Sequence, residues 1–158
     1  MEKNGGGTDM QVSFFDGNED FHFNKPIRLI EFFSGYGSQA LALKELGVKF
    51  EHWRICEWAV KSIQAYKDNH FSNVERNYAK EFTFEEIVDM LTELGISANY
   101  SDPMSKEQIK RLGEKECRKI YNNIKITNNL VNIQQVKGGD LKITDIDKYD
   151  YILTYSFP

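Results

Sequence analysis

Short apolar runs alternate with helical spacings along the first part of this chain. Residues 27–33 are a short apolar run of strand length, and residues 50–56 are a second strand candidate. Residues 39–46 and 58–66 carry apolar positions at helical spacing. Gly47 falls where the first of these helices is expected to end. This strand, turn, helix, strand, helix order predicts an α/β fold with a parallel sheet and right-handed crossovers.

The middle of the chain, from about residue 69 to residue 129, has a different pattern and predicts a helical insertion after the second strand. Residues 83–86 and 105–108 are capping boxes, in which a Thr or Ser precedes a Glu or Gln by three positions. The first box opens a helix that ends at Gly95, and the second opens a longer helix. The apolar positions expected to face inward are Ile87, Val88, Leu91 and Leu94 in the first helix, and Ile109, Leu112, Ile120 and Ile124 in the second.

Strand patterns resume after this insertion, at residues 131–136 and 149–155. The chain ends soon after the last of these, which makes the predicted sheet look cut off, with an open edge that invites pairing with another chain. Residues 1–25 are rich in Gly, Asn and Asp and predict a loose N-terminal arm. Residues 26–158 are then one partial domain.

Composition excludes several classes of protein. The 158 residues are 41% hydrophobic with a net charge of −4, which is enough apolar content for a core. No apolar run approaches the ~18 residues of a membrane span, and the N-terminus lacks the pattern of a secretory signal. Cys56 and Cys117 provide neither a disulfide framework nor zinc-ligand spacing. We therefore expect a cytoplasmic protein with no membrane contact and no metal.

The glycine-rich turn after the first predicted strand carries the candidate chemistry. Glycines there let the backbone approach a ligand, and the following helix N-terminus favours an anion. The spacing Gly35-x-Gly37-x-x-Ala40 satisfies a dinucleotide fingerprint, and Glu57 lies about 20 residues further on, where an acid can bind ribose hydroxyls. Trp58 offers an aromatic face for a purine. A purely structural turn is the alternative.

With these motifs in this order, the sequence resembles the DNA (cytosine-5)-methyltransferases, most closely the phage-type members. The resemblance rests on Glu31-Phe32-Phe33-Ser34-Gly35-Tyr36-Gly37-Ser38, on Glu57-Trp58, on Gly139-Asp140-Leu141, and on a last strand that runs into Pro158. It implies an incomplete Rossmann-like sheet that binds S-adenosylmethionine. The implied cofactor-binding residues are Phe33, Ser34, Gly35, Tyr36, Gly37, Ser38, Glu57, Trp58, Asp140, Leu141 and Pro158.

The same resemblance implies that no catalytic residue is present. The family's nucleophilic cysteine would directly follow Pro158, and neither Cys56 nor Cys117 follows a proline. The regions of the family that recognise DNA would also lie beyond this point. We expect the isolated chain to be inactive, and we expect a complementary C-terminal fragment, or a second copy at the open sheet edge, as a partner.

Two alternatives stay open at this stage. A non-catalytic binding module derived from a phage methyltransferase would act through DNA or a host protein. A fragment of a nicotinamide oxidoreductase would leave Asp140 and the final Ser-Phe-Pro unexplained.

The middle of the chain has a basic bias, but interleaved glutamates favour a solvated face over a DNA contact. The basic residues are Lys106, Lys110, Arg111, Lys115, Arg118 and Lys119.

Overall fold

A computed structural model describes residues 24–155, which contain a three-stranded parallel sheet. The strands are β1 (Ile27–Phe32), β2 (Phe50–Cys56) and β3 (Asp150–Tyr155), in the order β2-β1-β3. The α/β class and these strands confirm the sequence prediction. The sheet is compatible with the Rossmann-like arrangement that the resemblance implies.

The central position of β1 explains why its residues are buried, including the charged Arg28 and Glu31. β1 pairs in parallel with β2 on one side and β3 on the other, and its first five residues are buried. A parallel strand in the middle of a sheet is covered on both faces, so its side chains are buried in either direction. Because the strands are parallel, β1 and β2 end at the same edge, with Phe32 opposite Cys56. Residues that follow these two strands are therefore brought together.

Five helices accompany the sheet among the described residues. They are α1 (Ser38–Glu45), α2 (Val60–His70), α3 (Phe84–Leu94), α4 (Lys106–Arg111) and α5 (Glu114–Ile126). α3 packs on α4 and α5, and α5 also packs on α2. The largest apolar core lies among these last four helices and includes the buried Ile63, Ile87, Leu91, Ile109 and Ile120. α1, α2 and α3 lie where the sequence predicts helices.

Local capping signals were predicted correctly. The hydroxyl oxygens of Thr83 and Ser105 accept from the backbone N–H groups of Glu86 and Gln108, whose side chains accept in return. Gly95 ends α3 with a left-handed φ of 69°. Each contact satisfies a backbone group that the helix itself leaves unpaired.

The single helix predicted after Ser105 is wrong, because the structure has two helices there. α4 ends before Leu112, and α5 begins after Gly113, whose φ of 82° breaks the helical path. Leu112 was expected to face inward, yet it is 37% exposed at this break. The buried Ile109, Ile120 and Ile124 did face inward as predicted.

The predicted strand at residues 131–136 is also wrong. A short 3-10 turn occupies Ile133–Gln135, and Asn129 forms only an isolated bridge to Ile55 of β2. Val131 adopts a left-handed φ of 63°, which an extended strand does not allow. The segment thus reaches the outer edge of β2 but turns away after one bridge.

Two expectations concern residues outside the described range, because most of the N-terminal arm lies there and so do the last three residues of the chain. The division into domains stays a prediction. Between residues 24 and 155, no helix has the length and apolar content needed to cross a bilayer.

A buried hydrogen-bonded chain joins β1, β2 and α2. The Tyr66 hydroxyl donates to Glu31 Oε2, and the backbone N–H of Ala40 donates to Glu31 Oε1 at 3.2 Å. His52 Nδ1 lies 2.8 Å from the same hydroxyl. Because the phenolic proton is directed at Glu31, His52 donates to the Tyr66 oxygen through Nδ1–H.

Burial shifts the pKa of each member of this chain. Burial lowers the pKa of His52 to about 4, aided by the nearby His70 and Lys44. Burial raises the pKa of Glu31, although the hydrogen bonds from Tyr66 and Ala40 act in the opposite direction. The pKa of Tyr66 is raised by burial and by the Glu31 carboxylate. The pKa of His70 is lowered by burial. The network therefore favours uncharged imidazole rings.

We expect the free energy of unfolding to fall as the pH drops from about 6.5 to about 4, because of His52. In the unfolded chain this imidazole binds a proton below its ordinary pKa of 6.5, whereas in the folded chain it does so only near 4. The stabilising contribution is therefore complete above 6.5 and is lost as the pH falls through the folded value. Urea unfolding across this range should show that the free energy of unfolding depends less steeply on pH in His52→Asn. The difference in slope should correspond to the uptake of up to one proton.

His52→Asn is the informative variant because its amide retains an N–H donor near the Nδ1 position but does not titrate. The raised pKa of Glu31 acts with the opposite sign and is present in both proteins, as is His70. An unchanged pH slope in His52→Asn would contradict this account of the network.

Candidate functional site

A cavity of about 330 Å³ opens at the carboxyl edge of β1 and β2. Its lining combines aromatic and aliphatic side chains with a few polar groups, which is typical of a small-molecule site. The lining residues are Phe33, Gly35, Cys56, Glu57, Trp58, Ser62, Tyr100 and residues 131–134. Phe33, Gly35, Glu57 and Trp58 were predicted to form a site together, and the structure places all four on this cavity.

The Glu57 carboxylate links the two segments that follow β1 and β2. Its Oε2 accepts from the Gly35 backbone N–H at 2.9 Å, and its Oε1 accepts from the Ala59 N–H at 2.8 Å. The side chain sits directly after β2 and the residue is only 7% exposed. Hydrogen bonds to a carboxylate are among the stronger ones in proteins. Glu57 therefore fixes the glycine loop against the start of α2.

Asn129 holds the backbone of Glu57 in place. Its Oδ1 accepts from the Glu57 N–H at 3.0 Å, and its Nδ2 donates to the Glu57 carbonyl at 2.8 Å. The same Oδ1 accepts from the Val131 N–H at 2.8 Å. One buried amide thus satisfies backbone groups at the end of β2, where a neighbouring strand would otherwise pair. This contact is the physical reason that no strand is needed at residues 131–136.

The glycine loop requires glycine at Gly37. Its φ is 85°, and a Cβ added there would collide with the ring atoms of His70 and Tyr66. Gly35 has a φ of 53° but faces open space, so only its backbone conformation favours glycine. Phe33 also has a left-handed φ, of 53°, as does Val131. Such strained residues tend to cluster at functional sites, and both of these line the cavity.

The other side of the loop is anchored by the end of α2. Asn69 Nδ2 donates to the Tyr36 carbonyl at 3.1 Å, and His70 Nε2 lies at the same distance from that oxygen. The Tyr36 side chain itself is exposed. Ser38 opens α1 with its hydroxyl on the surface, where it contacts Gln39. The end of α2 therefore holds the loop at the Tyr36 carbonyl, and Glu57 holds it at the Gly35 N–H.

Ser34 occupies an unusual position in this loop. Its Oγ is buried and, within residues 24–155, is the one buried side-chain polar atom without a hydrogen-bond partner. An unsatisfied buried hydroxyl costs about 1–3 kcal/mol. It is the kind of group that a bound ligand can satisfy.

Six predicted site residues in the described range do not line the cavity. Ser34, Tyr36, Gly37 and Ser38 lie in the glycine loop beside it, and the other two are Asp140 and Leu141. Asp140 is exposed, and its carboxylate accepts from the Lys137 N–H at 2.8 Å. The Leu141 carbonyl accepts from Trp53 Nε1 at 2.8 Å, and the Asp140 carbonyl lies 3.3 Å from Arg54 Nε. Both residues therefore lie beside β2 rather than at its end. Pro158 falls outside the described residues.

The cavity also includes residues that the sequence pattern did not single out. Ser62, Tyr100, Asn132 and Gln134 line it, and Asn129 lies behind Glu57. They come from helical or polar segments far along the chain, so spacing gave no signal for them. The capping box before α4 marked the approximate end of the loop that carries Tyr100.

The two cysteines have the environment of inert core residues. Cys56 Sγ donates to the Val131 carbonyl and Cys117 Sγ to the Ile109 carbonyl, each at 3.3 Å. Burial raises the pKa of Cys56 to about 12, and burial also raises that of Cys117. In the described part of the chain, no group of three His, Cys, Asp or Glu side chains could hold a metal ion.

Sequence comparison relates this chain to methyltransferases. It is 33% identical over 135 residues to "Orphan methyltransferase M.SssI" of Spiroplasma monobiae, which covers 85% of this chain and 34% of that protein. It is 29% identical over 133 residues to "Type II methyltransferase M2.ScrFI" of Lactococcus lactis subsp. cremoris, covering 84% of this chain and 35% of that protein. No protein-family model matches the chain. The chain thus spans about a third of the length of these curated relatives, and the similarity supports a methyltransferase relationship for it.

Proposed function

We propose that this chain is the S-adenosylmethionine-binding part of a DNA (cytosine-5)-methyltransferase. One observation carries the proposal: Glu57 joins the Gly35 loop to the start of α2 beside Trp58, on the wall of an apolar cavity. The similarity to two methyltransferases supports it. S-adenosylmethionine, when bound, supplies a methyl group activated by its sulfonium.

The residues of the cavity and of the glycine loop beside it fit this cofactor. Glu57 offers carboxylate lone pairs to ribose hydroxyls in addition to the two N–H groups it already accepts from. Trp58 offers an aromatic face to the adenine. The first turn of α1, beginning at Ser38, has N–H groups that suit the methionine carboxylate. The unpartnered Ser34 hydroxyl lies in the same loop.

The remaining cofactor residues in the proposal rest on the resemblance alone. Asp140 and Leu141 would contact the adenine, and Tyr36, Gly37, Ser38 and Pro158 would complete the site. Asp140 lies beside Arg54 and Trp53 in this structure, so its participation requires the turn around residues 137–142 to approach the cavity.

Calorimetric titration with S-adenosylhomocysteine should detect binding to the wild-type chain. Glu57→Gln should weaken it by about tenfold or more, because an amide nitrogen would face a backbone N–H and the charged acceptor would be lost. Glu93→Gln, an exposed acid on α3, is the matched control and should bind as the wild type does. Equal affinity in all three proteins, or preferred binding of NAD, would overturn the assignment.

We expect the 158-residue chain alone to transfer no methyl group to DNA. The resemblance implies a thiolate that adds to cytosine C6, and this makes C5 nucleophilic. Cys56 and Cys117 are buried, donate to backbone carbonyls and have raised pKa values, so neither can supply that thiolate. Incubation with DNA and methyl-labelled cofactor should leave the DNA unlabelled.

A complementary fragment that begins with the family's cysteine is the positive arm of that experiment. Methyl transfer by the mixture, and by neither fragment on its own, would fit the proposal. Methylation of cytosine by the isolated chain would refute it.

A second candidate function, a DNA-binding module, is favoured by one surface. A groove of about 560 Å³ between α2 and α5 is lined by five cationic side chains and one acid, Glu75. The cations are Lys67, Arg76, Lys115, Arg118 and Lys119. Arg118 pairs with Glu114, but among the described residues the other four have no ion-pair partner. Phosphate groups of DNA are bound by such unpaired cations.

The basic residues near α4 behave differently. Lys106 pairs with Glu85 and Asp89, and Lys110 pairs with Glu85 at 2.8 Å. These pairs agree with the solvated face that the sequence favours. They also provide a matched control for the groove.

Fluorescence anisotropy with labelled duplex DNA tests this second function. Lys115→Gln/Lys119→Gln should weaken binding and lower the slope of log K against log salt by up to about 1.8. Lys106→Gln/Lys110→Gln removes the same number of charges from paired positions and should leave binding unchanged. Equal behaviour of the two double variants would contradict a role for the groove.

A further inference from the structure

Residues 97–103, between α3 and α4, form a loop that extends to the cavity, and we call it the 97–103 loop. Its Ser97 N–H donates to the Trp58 carbonyl at 2.8 Å, and the Ser97 carbonyl accepts from the Val60 N–H at 2.9 Å. Ser97 also forms bridges to Ala59 and Pro103. The loop is thus attached to the segment that directly follows Glu57.

Side-chain hydrogen bonds fix the shape of this loop. Asn99 Oδ1 accepts from the N–H groups of Ser101 and Asp102 at 3.0 and 3.1 Å. The Ser97 hydroxyl donates to the Asp102 carbonyl at 2.8 Å. Between these contacts, Tyr100 has a left-handed φ of 66°, an uncommon conformation for an aromatic residue. The loop therefore presents Tyr100 from a defined backbone.

Tyr100 lies on the wall of the cavity with much of its surface open. Its hydroxyl is 2.9 Å from Ser62 Oγ on α2, and the residue is 57% exposed. Trp58 lines the same cavity. No ring-to-ring contact joins Tyr100 and Trp58. Trp58 also packs partly against the apolar core, so the exposed part of Tyr100 and the cavity-lining part of Trp58 are the surfaces that a ligand could contact.

We propose that Tyr100 is a specificity-determining residue that contacts the purine ring of the bound cofactor, with Ser62 positioning its ring. This deepens the proposed function and rests on it. It also assigns a role to the 97–103 loop, which supplies a wall of the cavity that β1 and β2 do not provide. The ligand class is a purine nucleoside, because a flat aromatic ring with an adjoining ribose matches Tyr100, Trp58 and the Glu57 carboxylate.

Titrations with S-adenosylhomocysteine and with adenosine test this proposal. Tyr100→Ala should weaken both by about tenfold, the range found when an aromatic platform for a base is removed. Tyr100→Phe and Ser62→Ala should each have a smaller effect of about two- to fourfold, since they remove only the hydroxyl contact. Ser101→Ala, an exposed neighbour in the same loop, should match the wild type.

The outcomes separate the two levels of the proposal. If the wild type binds S-adenosylhomocysteine and Tyr100→Ala binds it equally well, the role of Tyr100 is refuted while the proposed function stands. If the wild type binds neither compound, the proposed function fails and this inference fails with it. Should Tyr100→Ala lower the melting temperature, Tyr100→Phe and Ser62→Ala decide the question. Wild-type affinity for adenosine in both would then contradict the proposal.

Discussion

Two hydrogen bonds to one buried carboxylate determine the shape of the candidate site. Glu57 accepts from Gly35 after β1 and from Ala59 before α2. The backbone of Glu57 is in turn held by the amide of Asn129. Without these contacts, the ends of two strands and the start of a helix would each have polar backbone groups to satisfy separately. Glu57 and Asn129 together satisfy these groups and hold the three segments beside the cavity.

A second buried acid supports the same loop from the opposite direction. Glu31 on β1 accepts from Ala40 in α1 and from the Tyr66 hydroxyl of α2. Glu31 lies on β1 and Glu57 directly follows the neighbouring β2, and each contacts a helix. The glycine loop between them is thus restrained at both ends, and Gly37 fits closely against His70 and Tyr66. A rigid loop of this kind suits a ligand that is recognised by backbone groups.

Local signals were sufficient for much of the fold but not for the far wall of the site. The strands β1 and β2, the Thr83 capping box and Gly95 depend on neighbouring residues, and the sequence predicts each of them. The turn at Val131 depends on Asn129 pairing with Glu57, 72 positions away in the chain, and no periodicity reports such a contact. The sequence pattern gives no signal for Tyr100 either, because the loop that carries it is fixed by polar side chains. The position of Asp140 beside Arg54 likewise depends on tertiary contacts.

The indole N–H signals of the two tryptophans provide the most direct test of where the cofactor binds. Trp58 lines the cavity, whereas Trp53 Nε1 donates to Leu141 on the surface of β2. In nitrogen-15 correlation spectra, assigned with Trp53→Phe, addition of S-adenosylhomocysteine should shift the Trp58 indole signal, and a shift of the Trp53 signal as well would report movement of the turn at residues 137–142. A shift confined to Trp53, or no shift of either signal at saturating ligand, would contradict a cofactor site built around Glu57.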